Sequence, residues 1–215
     1  MREEKAISSA VIRRLPKYYR HLGTIQDRGI VRISSQNLSE ITGFTASQIR
    51  QDLNHFGGFG QQGYGYNVEK LRTQLAQIIG LDQRYRMIII GAGHMGQAIC
   101  NYQGFQDAGF SVAALFDRDA KKIGTKINNI PVYSVDDLED FVRENAIEIA
   151  ALTTPKSVAQ SLADAAARSG VRGIWNFAPV DLRLPDDIVL ENVHLDESLH
   201  TLNYYISHLK DYKGI

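Results

Sequence analysis

The residues whose types and spacing suggest chemistry most clearly are Gly91, Gly93 and Gly96, in MIIIGAGHMG at 87–96, together with Asp117. Glycines so spaced carry a strand into a helix. Gly91 permits the tight turn, Gly93 lets backbone N–H groups approach a pyrophosphate, and Gly96 lets the helix pack on its strand. Ala92, His94 and Met95 share that turn, and the helix N-terminus faces the phosphates. A second apolar run at 112–116 ends in Asp117, about 20 residues beyond the motif, where a carboxylate accepts from a ribose 2′-OH. Such a carboxylate repels a 2′-phosphate, which favours NAD(H) over NADP(H), although Arg118 beside it is cationic. The expected chemistry is the binding of NADH and NAD+.

Four further positions fall at strand ends on the same side. Thr153, Thr154 and Pro155 lie at the end of the strand expected over 147–153, with Thr154 read as the N-cap and Pro155 as the first residue of the next helix. Capping and contact with the nicotinamide half of a dinucleotide are both open to this pair of threonines. Asn176 closes the run 173–176 and is counted with the cofactor residues.

These residues need an alternating scaffold. Residues 87–90 are apolar without polar alternation, as in a strand buried on both faces of a parallel sheet. Strand to 90, helix to about 107, strand to 116, helix 135–144, strand 147–153, helix 156–169 and strand 173–176 give a doubly wound α/β sheet, with ligands beyond the carboxyl ends of its strands. Strands are also expected at 188–190 and 193–195. A last helix carries Leu199, Leu202, Tyr205, Ile206 and Leu209 on one face, which a partner subunit would cover.

The first 80 residues have a different character. Residues 1–80 hold 11 Lys and Arg against 6 Asp and Glu, whereas residues 81–215 hold 13 against 18. Such asymmetry directs the search for an anionic partner to the N-terminal part. Residues 7–22 have helical periodicity, with Pro16 kinking that helix or starting a second one. A strand is expected at 30–33, and a short helix at 35–42 stopped by Gly43. Thr45 and Gln48 form a capping box for a helix from Ala46, whose Ile49, Leu53 and Phe56 face inward. Ser47, Gln48, Arg50, Gln51 and Asn54 lie on the outer face. Two short helices joined by a glycine turn make a helix-turn-helix, whose second helix reads base edges in the DNA major groove. A solvated αα-hairpin has the same pattern. Residues 57–66, rich in glycine and carrying Phe59, Tyr64 and Tyr66, read as a β wing whose Gln61, Gln62 and Tyr64 reach a minor groove. A helix over 68–79 closes a winged-helix domain at residue 80.

No apolar run approaches the roughly 20 residues of a membrane span, and the charged start of the chain lacks the apolar core of a signal peptide. A cytoplasmic protein without a membrane partner is expected. Cys100 is the only cysteine. It reads as a small buried hydrophobe on the helix after the glycine turn.

RRLPKYYR (13–20), TASQIRQDLNHFGGFGQQGYGYNV (45–68), GAGHMGQAICNY (91–102) and GIWNFAPVDL (173–182) occur in this order along the chain. Through them the sequence resembles the redox-sensing transcriptional repressor family Rex along essentially its whole length. The resemblance implies a homodimer that binds a palindromic double-stranded DNA operator when NADH is low and releases it when NADH binds between the domains. It implies a winged helix at 1–80, a Rossmann domain at 81–196 and a dimerisation helix at 197–215 swapped onto the other subunit. Tyr102 would lie near the nicotinamide with residues 153–155. Many members carry an aspartate before the last helix that pairs with the Tyr102 position in one state and the Arg14 position in the other. His194 stands there in this chain, and Asp196, two residues on, would lie on the same face of an extended strand. Arg14, Tyr102, His194 and Asp196 are therefore the switch candidates, with Arg14 also at the DNA. An NAD-dependent dehydrogenase would need a substrate domain and an acid–base pair that the sequence does not supply. A DNA-binding protein with a purely structural dinucleotide fits the same residues.

Overall fold

The computed structural model describes residues 7–61 and 64–209, with Gly60 and Gln61 described in their backbone alone. It separates into two compact units, Met1–Gln83 and Arg84–Ile215.

In the first unit, α1 (Ser9–Asp27) is a single helix that contains Pro16. Proline forfeits one backbone N–H donor at an exposed position, and the burial of Val11, Leu15, Tyr18, Leu22 and Ile25 on the other face outweighs that loss. β1 (Arg32–Ile33) precedes α2 (Ser35–Thr42), which stops at Gly43 as its glycine predicts. α3 (Ala46–Asn54) starts where Thr45 Oγ1 accepts from the Gln48 N–H at 3.2 Å. Ile49, Asp52 and Leu53 form its buried side. β2 (Gly60–Gln61) and β3 (Gly65–Asn67) make the wing, and β3 pairs antiparallel with both β1 and β2. α4 (Val68–Ile78) completes a core in which Leu71 and Leu75 meet Leu15, Leu22 and Leu53. Gln62 lies outside the described residues, as does the side chain of Gln61.

In the second unit, β4 (Tyr85–Ile90) leads into α5 (His94–Cys100) and a short α6 (Gly104–Asp107). The helix expected to reach residue 107 is thus broken. Tyr102 lies against Gly104, where a Cβ would come within 2.7 Å of the ring, and its ring meets Phe105 edge-on at 4.7 Å. β5 (Phe110–Asp117) is followed by a hairpin of β6 (Lys126–Ile127) and β7 (Ile130–Ser134), which the periodicity had not indicated. Its signal is Asn128-Asn129, both with positive φ as a tight two-residue turn demands. After a single 3-10 turn come α7 (Leu138–Asn145), β8 (Ile149–Leu152), α8 (Lys156–Ser169) and β9 (Gly173–Asn176). One strand, β10 (Val189–Asn192), replaces the two expected at 188–195, and α9 (Leu195–Ser207) begins at once. His194 is the N-cap of α9 and Asp196 lies in its first turn, so the strand geometry expected to align them does not exist.

The sheet order is β10-β9-β8-β4-β5-β7-β6, parallel throughout except for the edge hairpin. Along β4, Ile88 and Ile90 enter one core with Phe116, while Met87 and Ile89 enter the other with Leu115. Both faces being covered explains the unbroken apolar run. The chain crosses from one half of the sheet to the other between β4 and β8, and a crevice forms beyond their carboxyl ends.

Candidate functional site

That crevice is a cavity of about 560 Å³, within the range of small-molecule sites. Gly91 and Gly93 form one wall, Asp117, Arg118 and Lys122 a second, and Thr153, Thr154, Pro155, Val158 and Leu162 a third. Gly91 has φ +107°, and a Cβ there would meet the Thr153 carbonyl oxygen at 2.8 Å. A Cβ on Gly96 would come within 1.9 Å of the Gly91 oxygen, so α5 packs this closely only with glycine. At Gly93 a Cβ would meet no described atom within 4 Å. Its bare backbone borders the cavity, and the N-cap position of α5 that it occupies has no side-chain cap.

Thr153 and Thr154 divide two tasks. Thr153 Oγ1 lies 2.8 Å from the Gly91 oxygen and 3.1 Å from the Ile90 oxygen, one hydroxyl tying the ends of β4 and β8. Thr154 is not the N-cap of α8; Pro155 is, in extended backbone and without a side-chain acceptor. The carbonyl of Pro155 already accepts from Val158 N–H at 3.1 Å, which puts the start of the helix one residue later. Thr154 lines the cavity, and its Oγ1 is left buried with no hydrogen-bond partner among the described residues. A buried hydroxyl without a partner costs about 1–3 kcal/mol, which a polar ligand atom would relieve. The bare backbone at Gly93 and this hydroxyl fit a dinucleotide.

Asp117 closes the far end. Its Oδ2 accepts from the Ala92 N–H and from Lys122 Nζ, both at 2.9 Å, and its Oδ1 from the Asp119 N–H at 2.9 Å. Burial opposes its charge, but these hydrogen bonds prevail and hold the carboxyl below the usual range. Lys122 was not singled out in the sequence; its position five residues after Asp117, in the turn following β5, is the only signal it gives. Val135, Val158 and Leu162 add apolar surface suited to an adenine face.

Other expected cofactor residues lie elsewhere. His94 is exposed and Ala92 is buried. Met95 is at the margin of exposure, and neither it nor His94 lines the cavity. Tyr102 is 61 % exposed and lines a different, aromatic cavity with Met87, Phe105 and Trp175. Asn176 is buried, its Nδ2 donating to Val180 O and Asn192 Oδ1 and its Oδ1 accepting from Ala178 N–H, so its amide holds the turn after β9. His194 Nε2 is 3.7 Å from Asp181 Oδ1, and Asp196 is exposed.

On the first unit, Ser47, Arg50, Gln51 and Asn54 share the exposed face of α3, with Gln48 half-buried beside them. Arg50 Nη1 donates to Ser35 Oγ at 2.8 Å. Tyr64 is exposed at the wing, 5.9 Å beneath the Arg32 guanidinium. Arg14 instead turns inward and forms a two-point ion pair with Asp52, to which Tyr18 also donates at 2.7 Å. Sequence reading passed over Asp52, although it sits on the inward stripe between Ile49 and Leu53, where an acid requires a partner.

Comparison with known proteins places this geometry. Residues 6–54 match the family described as putative DNA-binding protein N-terminus, and residues 82–180 match the CoA binding domain family. The redox-sensing transcriptional repressor Rex of Clostridioides difficile (strain 630) is 58 % identical over 93 % of this chain and 95 % of its own. That of Clostridium novyi (strain NT) is 52 % identical over 96 % and 99 %. The crystal structure of RSP in complex with β-NAD+ and operator DNA superposes with a TM-score of 0.90 at 50 % identity, covering 98 % of this chain and all of that one. RSP in complex with β-NADH gives 0.90 at 49 %, covering 97 % and 98 %. Two units of this construction and identity above half over nearly the whole length establish that the chain belongs to the family of redox-sensing transcriptional repressors Rex.

Proposed function

We propose that this protein represses transcription by binding a palindromic operator as a homodimer and leaves the DNA when NADH occupies the cavity beyond β4, β5 and β8, so that its occupancy of DNA follows the NADH/NAD+ ratio. The observation that carries the reading is the bare Gly93 backbone lining one cavity with Asp117 and with Thr153, Thr154 and Pro155. Gly91, Ala92, Gly93 and the first turn of α5 at His94, Met95 and Gly96 hold the pyrophosphate, Asp117 the adenosine ribose, and residues 153–155 the rest of the dinucleotide. Arg50, Gln51 and Asn54 read base edges from α3, with Ser47 and Gln48 at its first turn, and the wing with Gln61, Gln62 and Tyr64 enters the minor groove. Residues 1–80 are the DNA-binding domain, 81–196 the sensor and 197–215 the dimerisation helix. Arg14, Tyr102, His194 and Asp196 transmit the change.

The protein works in the cytoplasm and catalyses nothing with its dinucleotide. No helix among the described residues is long and apolar enough to cross a membrane. The two forms of the dinucleotide differ chiefly by a positive charge at the nicotinamide. A hundredfold preference of NADH for the released state supplies about 2.7 kcal/mol of coupling, a hundredfold loss of operator affinity at saturation. The test is fluorescence anisotropy of a labelled palindromic operator at fixed salt. Release by NADH, far weaker release by NAD+ and no consumption of NADH are expected. Operator binding that ignores both nucleotides would reduce the dinucleotide to a structural role.

A further inference from the structure

Asp117 does not stand alone as a ribose-binding carboxylate. A carboxylate offers about four acceptor positions, and three here are taken by Ala92 N–H, Lys122 Nζ and Asp119 N–H, leaving one on Oδ1 for a ribose hydroxyl. The Lys122 side chain is 34 % exposed at the cavity wall, and Asp117 beside it 12 %. Arg118 lines the same cavity and has no ion-pair partner among the described residues. This end of the cavity therefore holds two cations against one anion. Without that carboxylate, the two cations would suit a phosphate better than a neutral sugar hydroxyl.

Resting on the dinucleotide reading above, we propose that Lys122 is a specificity-determining residue, and that the ribose end of the cleft is a 2′-phosphate subsite kept closed by one carboxylate. In the native chain Asp117 occupies Lys122, accepts from the ribose and repels a 2′-phosphate, so NADH binds better than NADPH. Lys122 also partly neutralises Asp117 and moderates that repulsion. With the carboxylate made neutral, Lys122 and Arg118 are free to grip the phosphate, Lys122 as a point charge and Arg118 through paired N–H groups.

Direct titration calorimetry of the full chain with NADH and with NADPH tests this in four proteins. In Asp117→Asn the amide oxygen still accepts from the Ala92 N–H, and NADPH affinity should rise about tenfold while NADH affinity falls, the scale of one charge-assisted hydrogen bond. The gain should shrink at high salt, as an exposed charge contact does. Asp117→Asn combined with Lys122→Met should lose most of the gain. Lys122→Met alone, which leaves Asp117 unneutralised, should widen the NADH preference about threefold. A gain that survives without Lys122, or an unchanged preference in Lys122→Met, overturns the assignment while leaving the dinucleotide site intact. A native chain that binds neither nucleotide removes the site itself and this proposal with it.

Discussion

Arg14 grips Asp52 through two parallel hydrogen bonds, Nε to Oδ2 at 2.6 Å and Nη2 to Oδ1 at 2.7 Å, and so ties α1 to the inner side of α3. The Tyr18 hydroxyl donates to the same carboxylate from the next turn of α1. Asp52 is 2 % exposed, so its charge depends on these partners. The ion pair fixes how α3 is rotated on its support, and hence where its polar face points. Asp52→Asn should cost about 3 kcal/mol by leaving Arg14 without its counter-charge, and should weaken operator binding in parallel. Urea unfolding followed by circular dichroism, with operator anisotropy, measures both. A loss under about 1 kcal/mol would mean that apolar packing alone orients the helix.

The same carboxylate sets an acid limit. Burial alone would raise its pKa, but the hydrogen bonds from Arg14 and Tyr18 outweigh burial and hold it below the ordinary value. Burial and the bond to Asp52 push the Tyr18 phenol upward, so it stays a donor at neutral pH. With the folded pKa below an unfolded value of about 4, the stabilisation is complete above that pH and is lost as pH falls through the lower folded value. Asp117 shifts in the same direction in the other unit. Native protein should lose stability below pH about 4, and Asp52→Asn, weaker at neutral pH, should lose less on acidification, the two urea midpoints converging. Parallel pH curves would assign the titration to other groups.

Two glycines of one motif should fail in different ways. Gly96→Ala drives a Cβ to within 1.9 Å of the Gly91 oxygen, so α5 must shift and the fold should lose about 3 kcal/mol. Gly93→Ala meets no described atom within 4 Å and should leave thermal stability within about 1 kcal/mol of native while NADH affinity falls at least tenfold. Differential scanning fluorimetry without nucleotide, followed by calorimetric titration, separates the two. Equal destabilisation would show that both glycines are needed for the turn alone.

Much of this was legible because short-range signals agree with the tertiary structure. Gly43, the Thr45 cap and the Ile49–Leu53 spacing mark the helix-turn-helix from local chemistry, and residues 87–96 with Asp117 mark the sensor from a strand, a turn and an acid. What escaped depends on distance in sequence. Asp52 finds Arg14 38 residues away, and its acidic side chain on an apolar stripe hinted at a partner without saying which. Tyr102 breaks α5 by packing on Gly104, Phe105 and indirectly Trp175, contacts that helical periodicity does not encode. Thr154 and Pro155 illustrate the remaining kind of error. Pro155 is the cap rather than the first helical residue, and that one-residue shift leaves the threonine hydroxyl without a hydrogen-bond partner among the described residues.

The last helix carries its own prediction. Leu195, Leu199, Leu202 and Ile206 follow one another at helical spacing on α9 and are 55, 62, 51 and 56 % exposed. None of the helix's residues is buried, so the stripe contributes almost nothing to the fold of its own chain. Four adjacent large apolar side chains left in water are a cost that a second copy removes, at about 25 cal/mol per Å² covered. Leu199→Lys with Leu202→Lys should therefore keep the circular dichroism spectrum but shift the mass measured by light scattering from dimer to monomer. A dimer holds both half-sites of a palindrome at once, so operator affinity should fall by about 100-fold or more when that linkage is lost. A double variant that remains dimeric and binds operator normally would move the dimer interface away from α9.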